Sequence, residues 1–471
     1  MKYDKIIRNG KIVIPKMGIL EGCIGINEGK ISTIARDITP TNGDKVIDAK
    51  GKLIFPGVID SHFHIGIYRP IAEDAYTESR AAVTGGVTTI LSYFRTGSHY
   101  LNITGPYSEV YPKLLDITKF SFLTDYGYHL APIERHHIDE MELLITEYGV
   151  CTFKYYMFYK GLELRGHGVS GEHEKKYLLT DEPQDLGHLF QIMRQAALLN
   201  KKYGSIRVSV HAEDPELIRV NMEEAKEAKS RGIRDLEAYN MARSSIAEKI
   251  AIVQTVYLAS LTGCPLNILH LSSRGALEAA TQMRNLFHDV FFETTIHHLT
   301  LTTDIKSGIE GKVNPPLRTK DDVEALWRGI HDNIIQIVVS DHAAIMRDYK
   351  ITEKDNIWTA LPGFGGTTLL LPILLSEGYY KRGISLLKIA DLVCYNPAKI
   401  HGLYPKKGTI KIGVDADLTI VDLNKVQTVT ADILNSAQDF TPFEGIEVKG
   451  WPNTTLIRGE TLFEDGQVIG K

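Results

Sequence analysis

Eight apolar, β-branched runs, most of them followed by a longer polar or helix-patterned segment, constrain this chain more than any other feature. They are LIFPGVIDSHFHI, GVTTILSYF, TDYGYHLAP, GVCTFKYYMF, IRVSVHAED, PLNILHLSS, VFFETTIHH and IIQIVVSDHA. Helical periodicity covers 183–203, 213–230 and 236–262 between them. Strand runs alternating with helices are the pattern of βα units around a parallel sheet. A doubly wound open sheet would also satisfy the alternation. The count of eight fits a (β/α)8 TIM barrel, in which functional side chains gather at the carboxyl ends of the strands.

The two ends of the chain read differently. Residues 1–53 alternate apolar and polar positions between turn residues, and both Asn9-Gly10 and Glu28-Gly29 are hairpin signals. GTIKIGVDADLTIVDL and TTLIRGETLFEDGQVIG repeat that character near the other end. A chain of 471 residues is too long for one small core. The expectation is a barrel over 54–404 and a small β-sandwich domain assembled from both termini, 1–53 and 405–471. The polar segment 160–182 carries four glycines and reads equally as a lid over the fourth strand or as a solvated connector.

Charge and cysteine usage exclude several function classes. With 53 basic against 58 acidic residues, the net charge of −5 offers no footprint for nucleic acid or an anionic membrane. No apolar run is long enough to span a bilayer, and the amino terminus lacks a secretory pattern. Four cysteines, Cys23, Cys151, Cys264 and Cys394, lie far apart without C-x-x-C spacing, as expected of thiols in a reducing cytoplasm.

The chemistry sits at the strand ends. His62 and His64 close the first run, two residues apart and so on one face of a strand. Alone they mean little, because 17 histidines in 471 residues give about 0.6 such pairs by chance. The fourth run adds Lys154, the fifth His211, the sixth His270 and the eighth Asp341. Each has a bland alternative as a hydrogen-bonded turn residue. Five separate strands each delivering a residue of this kind point instead to a metal centre.

Lys154 is the odd member. A buried ammonium is costly unless paired, so it tends to neutralise. A neutral amine can add carbon dioxide and become a carbamate, turning a cation into a carboxylate-like bridging ligand. The alternative is an ordinary buried salt bridge to Asp341 or Glu213.

At this point the chain resembles the cyclic amidohydrolases, which include hydantoinases, dihydropyrimidinases, allantoinases and dihydroorotases. The resemblance runs nearly end to end, through PGVIDSHFH, GGVTTI, FKYYMFYKG, HAED, ILHLSS, NPPLR, SDHA, NPAKIHGLYPKKGTIKIGVDADLTIVD and FTPFEG. It implies two divalent metal ions, zinc first and manganese or iron as alternatives. His62, His64, Lys154 and Asp341 would hold one ion; carboxylated Lys154, His211 and His270 would hold the other. It implies Asp341 as general base and then acid, and Tyr159 as hydrogen-bond donor to the developing oxyanion. It also implies a homodimer or homotetramer acting on a small cyclic amide, in the cytoplasm that the cysteines already suggest.

The substrate branch is less sharply marked. Dihydroorotases carry an arginine two residues after the second histidine, where this chain has Gly66. KVNPPLR and TTIHHLTL look more like dihydroorotase or allantoinase segments than hydantoinase ones. Asn314 takes the position that contacts the ring imide, and LPGFGGTTLLLPILL replaces the family's Pro-Gly-Ile-Glu-Asn-Arg pattern, leaving Gly363 to Gly366 to line that wall. Tyr68, Tyr93, Phe94, Tyr155 and Phe158 stand near the mouth, as recognition or as packing. Arg69 and Arg95 could meet an anionic or ureido group, but each reads first as a solvated surface residue. Hydantoinase or dihydropyrimidinase comes first, allantoinase second and dihydroorotase third. A non-catalytic scaffold related to dihydropyrimidinase is the rival of another class, and it would have lost ligands that this chain keeps. A metal-dependent deaminase on the same barrel would not use the strand-four lysine.

Overall fold

The computed structural model describes residues 2–160, 183–352 and 355–469, and the backbone alone of 165–166 and 175–176. Its centre is a parallel sheet of β1 (Val58–His64), β2 (Val87–Phe94), β3 (Asp125–Leu130), β4 (Thr152–Tyr156), β5 (Arg207–His211), β6 (Leu266–Ile268), β7 (Val290–Thr295) and β8 (Ile337–Val339). Each strand pairs with its successor. Two residues beyond β8, His342–Ala343 form β9, which pairs with Phe63 and His64 of β1 and closes the ring. The fold is therefore a (β/α)8 barrel. Its strands bury nearly every position, as sheets covered on both faces do.

Helices around the barrel begin where the sequence supplies caps. Asp185 accepts from the His188 amide at Leu186–Tyr203, Asp214 from Leu217 at Pro215–Ser230, and Ser273 from Ala276 at Arg274–Leu286. The periodic stretch 236–262 is not one helix but two. Asp235–Ala242 ends at Arg243, and Ser244 caps a new helix, Ser245–Thr262. Apolar periodicity runs through this break because both helices bury one face.

The termini build a second sheet, a mostly antiparallel nine-stranded sandwich domain. Leu53–Pro56 belongs to it, pairing with Lys11–Ile12 and with Leu418–Val421, so the first apolar run is two strands in two sheets. Gly57 divides them; a Cβ there would collide with the Thr88 side chain. Ile7, Ile12, Ile24, Ile54, Leu418 and Leu456 share a separate core under this sheet. Glu28-Gly29 is the expected tight turn, with φ of 50° and 72°. Asn9-Gly10 is not a turn. Only Asn9 has positive φ, and Arg8 and Asn9 together oppose Cys23, making a β-bulge inside Lys5–Ile14. No helix among the described residues is long and apolar enough to cross a membrane.

Candidate active site

At the carboxyl end of the barrel one pocket is lined by His62, His64, Lys154, Tyr159, His211, His270, Asn314, Asp341 and Gly363, together with Tyr68, Tyr100 and Phe158. All nine residues singled out in the sequence meet there. His62 Nε2 and His64 Nε2 lie 3.1 and 3.3 Å from Asp341 Oδ1. Across the pocket, His270 Nε2 lies 2.7 Å from His211 Nδ1. Lys154 Nζ stands between the two groups, 3.5 Å from His62 Nε2 and 4.0 and 4.6 Å from the Tyr93 and Tyr156 ring centres. Asp341 and His270 hold φ of 51° and 36°. Non-glycine residues rarely adopt that left-handed conformation, and such strain collects at functional sites.

Each histidine group has a carboxylate behind it. His62 Nδ1 is 2.7 Å from Glu293 Oε1, and His211 Nε2 is 2.6 Å from Glu213 Oε2. A carboxylate on one ring nitrogen fixes the tautomer and turns the other nitrogen's lone pair inward, the usual support of a metal-binding imidazole. Among the described residues, His64 Nδ1 and His270 Nδ1 are buried without hydrogen-bond partners. Burial holds all four imidazoles below the ordinary histidine range, His211 at about 4, so each is in the neutral form that binds metal.

Burial pushes Lys154 down to about 7, against the opposing pull of Asp341 and Glu293. Its exposure is 1%, and among the described residues it makes no ion pair. The salt bridge considered from sequence is absent: Glu213 is taken by His211 and by a two-pronged contact with Arg243. Burial pushes Glu293 up to about 8, only partly offset by Lys154.

His62, His64 and Asp341 offer three ligand atoms within 4.8 Å of one another, and the donors are of the kind divalent metals take. Two other polar clusters are already committed. His137 spends both ring nitrogens on the Glu134 amide and the Gly105 carbonyl, while Asp125 and Asp417 hold Lys407. Of the barrel-mouth groups, the convergent histidines fit a metal pair.

Residues 189–462 match the amidohydrolase family. The chain belongs to that family. This amidohydrolase is 32% identical over 483 residues to a D-hydantoinase of Geobacillus stearothermophilus, covering 99% of this chain and 94% of that one. It is 30% identical to an L-hydantoinase of Paenarthrobacter aurescens, covering 99% and 96%, and 31% identical to an allantoinase of Rubrobacter xylanophilus, again covering 99% and 96%. A crystal structure of a D-hydantoinase superposes with a TM-score of 0.86 at 30% identity, covering 99% of this chain and 96% of that one.

Several residues of this amidohydrolase stand differently from the sequence reading. Arg95 is not a surface residue: at 1% exposure its Nε donates to the Tyr159 hydroxyl at 3.2 Å, and Nη1 donates to the Thr96 and Ser98 carbonyls. Arg69 is mostly covered and pairs with Asp74 at 3.3 Å. Of the aromatics near the mouth, Tyr68 and Phe158 line the pocket, Tyr93 lies against Lys154, and Phe94 and Tyr155 pack in the core. Glu293, Arg243 and Tyr239 had not been singled out. Glu293 sits inside an apolar strand, where a buried carboxylate always needs a reason. From residue 161 on, the segment 160–182 lies outside the described residues, apart from a short backbone pairing of 165–166 with 175–176.

Proposed function

We propose that this amidohydrolase opens the ring of a cyclic amide, imide or ureide at a C–N bond that is not a peptide bond, as a hydantoinase or dihydropyrimidinase. The observation that carries this reading is the convergence of four imidazoles, a buried lysine and an aspartate on one pocket. His62, His64, Lys154 and Asp341 would hold one divalent ion, and carbamylated Lys154, His211 and His270 the second, with zinc first in order. Such ions supply Lewis acidity for a carbonyl and lower the pKa of water.

Asp341 takes the proton from the attacking water and returns it to the leaving nitrogen. Tyr159, its oxygen already accepting from Arg95, directs its own proton at the oxyanion. Asn314 and Gly363 form the wall against the ring. At Gly363, φ is 95° and a Cβ would stand 3.1 Å from that of Ala343, so a side chain there would strain both backbone and wall.

Allantoinase is the second reading, favoured by the NPPLR segment and by Gly363 to Gly366 in place of the usual hydantoinase pattern. Dihydroorotase ranks below it because Gly66 stands where an arginine would meet the substrate carboxylate. A non-catalytic scaffold is disfavoured by the complete ligand set. We also read the chain as a barrel from Val58 to 404 with a sandwich built from both termini, the boundary expected at 54 falling instead after Pro56 because Leu53–Pro56 pairs in the terminal sheet, and as assembled into a cytoplasmic homodimer or homotetramer.

The test is ring-opening turnover of the metal-loaded protein on hydantoin, 5-phenylhydantoin, dihydrouracil, allantoin and dihydroorotate, beside a chelated control. Chelator-sensitive opening of hydantoin or dihydrouracil is expected. Turnover of allantoin alone moves the second reading to first place. Absence of both turnover and bound metal would return the scaffold.

A further inference from the structure

Asn314 reaches the pocket with one end of its carboxamide already committed. The Tyr239 hydroxyl hydrogen-bonds Asn314 Oδ1. Tyr239 is buried, and close to its hydroxyl stands the Arg243 guanidinium, which has only donors to offer. The single hydroxyl proton therefore goes to Asn314, which fixes the atom it meets as the amide oxygen. Asn314 Nδ2 is left facing away from Tyr239, and among the described residues it donates to no protein group.

The contact is the end of a longer buried line. Arg243 Nε lies 3.0 Å from Glu213 Oε1, and Glu213 Oε2 receives both the second prong of Arg243 and His211 Nε2. Charge-assisted hydrogen bonds thus tie a barrel-mouth histidine to Glu213 and Arg243, and Arg243 stands beside the tyrosine that reaches the far wall of the pocket. The break between Asp235–Ala242 and Ser245–Thr262 makes this possible, since it brings Arg243 to Glu213 while Tyr239 stays one helical turn behind, facing Asn314.

We propose that Tyr239 is a positioning residue that turns the Asn314 amide nitrogen toward the bound ring, so that the site selects rings presenting a carbonyl oxygen at that wall. The inference rests on the ring-opening reading and names its specificity. An imide or ureide carbonyl satisfies the donor. A ring bearing N–H or CH2 at the same place leaves it unpaired, and leaving a buried donor unpaired is how such sites reject analogues.

The experiment uses the metal-loaded full chain and whichever of the five compounds above it opens. Tyr239→Phe keeps the ring and removes the hydroxyl; KM should rise about tenfold with kcat within about twofold, the loss of one oriented hydrogen bond. Asn314→Asp, which puts an acceptor where the donor stood, should raise KM further. In an Asn314→Ala background, Tyr239→Phe should change nothing more. Metal content and Tm are recorded for each variant. An unchanged KM in Tyr239→Phe, an equal effect in both backgrounds, or loss of metal would overturn the positioning role. If the parent protein opens none of the compounds, the ring-opening reading fails instead. The crystal structure of Tyr239→Phe then still decides the relay: a rotated Asn314 carboxamide supports it, and an unmoved one overturns it.

Discussion

Behind His211, Glu213 is gripped through both oxygens by Arg243; behind His62, Glu293 has no such cation among the described residues. Burial raises both carboxyls. At Glu213 the guanidinium and His211 more than reverse that, holding the group well below the usual carboxylate range. At Glu293 burial wins, and the group stands at about 8. One half of the site thus has a backing whose charge is fixed by the fold. The other has a backing whose charge answers to what stands in front of it, namely Lys154 and Asp341. Two similar histidine–carboxylate contacts can therefore differ in kind, one a permanent strut and the other an adjustable one.

The largest expected effect removes what the two halves share. Lys154→Ala should lose both metal equivalents and turnover together, with partial rescue by a short carboxylic acid; full metal content and full activity would sink the bridging carbamate. Next comes Asp341→Asn, which should lower kcat by about 10²–10⁴ with an unchanged melting temperature. Near-normal rates would remove it as proton carrier.

The comparison itself is broken or sharpened by paired glutamine variants. Glu213→Gln leaves Arg243 buried without a countercharge and should cost about 3–5 kcal/mol in chemical unfolding. Glu293→Gln, which mimics the protonated form, should cost about 1 kcal/mol or less. Equal losses would erase the distinction. The smallest effect is on pH dependence in the chelated protein. A carboxyl raised from 4.5 to about 8 binds more protons folded than unfolded, so its contribution falls as pH rises across that window. The melting temperature of wild type relative to Glu293→Gln should therefore drop between pH 5 and pH 7. A difference that stays flat would mean Glu293 is charged throughout.

The strand ends were legible because a barrel places them together whatever else the chain does, so His62, His64, Lys154, His211, His270 and Asp341 needed no knowledge of packing to be grouped. Their supports were not. Glu293 lies two residues before the carboxyl end of its strand within VFFETT, where alternation alone cannot separate a buried acid from a solvent-facing one. Arg243 depends on a helix break that apolar periodicity hides. Arg95 follows a strand in a loop whose charged residues look solvated until Tyr159 is seen above it. Asn9-Gly10 shows the same limit in the terminal sheet: the dipeptide favours positive φ, but whether the chain then turns or bulges is settled by the partner strand, Gly18–Asn27.

Asp341 occupies the two-residue step between β8 and β9, the point where the last strand meets the first. The residue assigned the proton transfer thus sits on the seam of the ring. During synthesis His62 emerges early and must wait for nearly 280 further residues before Asp341 arrives beside it. An incomplete chain has an open ring and half a site, so hydrolytic competence comes with the final stitch of the barrel and not before. Activity in this protein is, in that sense, a report that the barrel has closed.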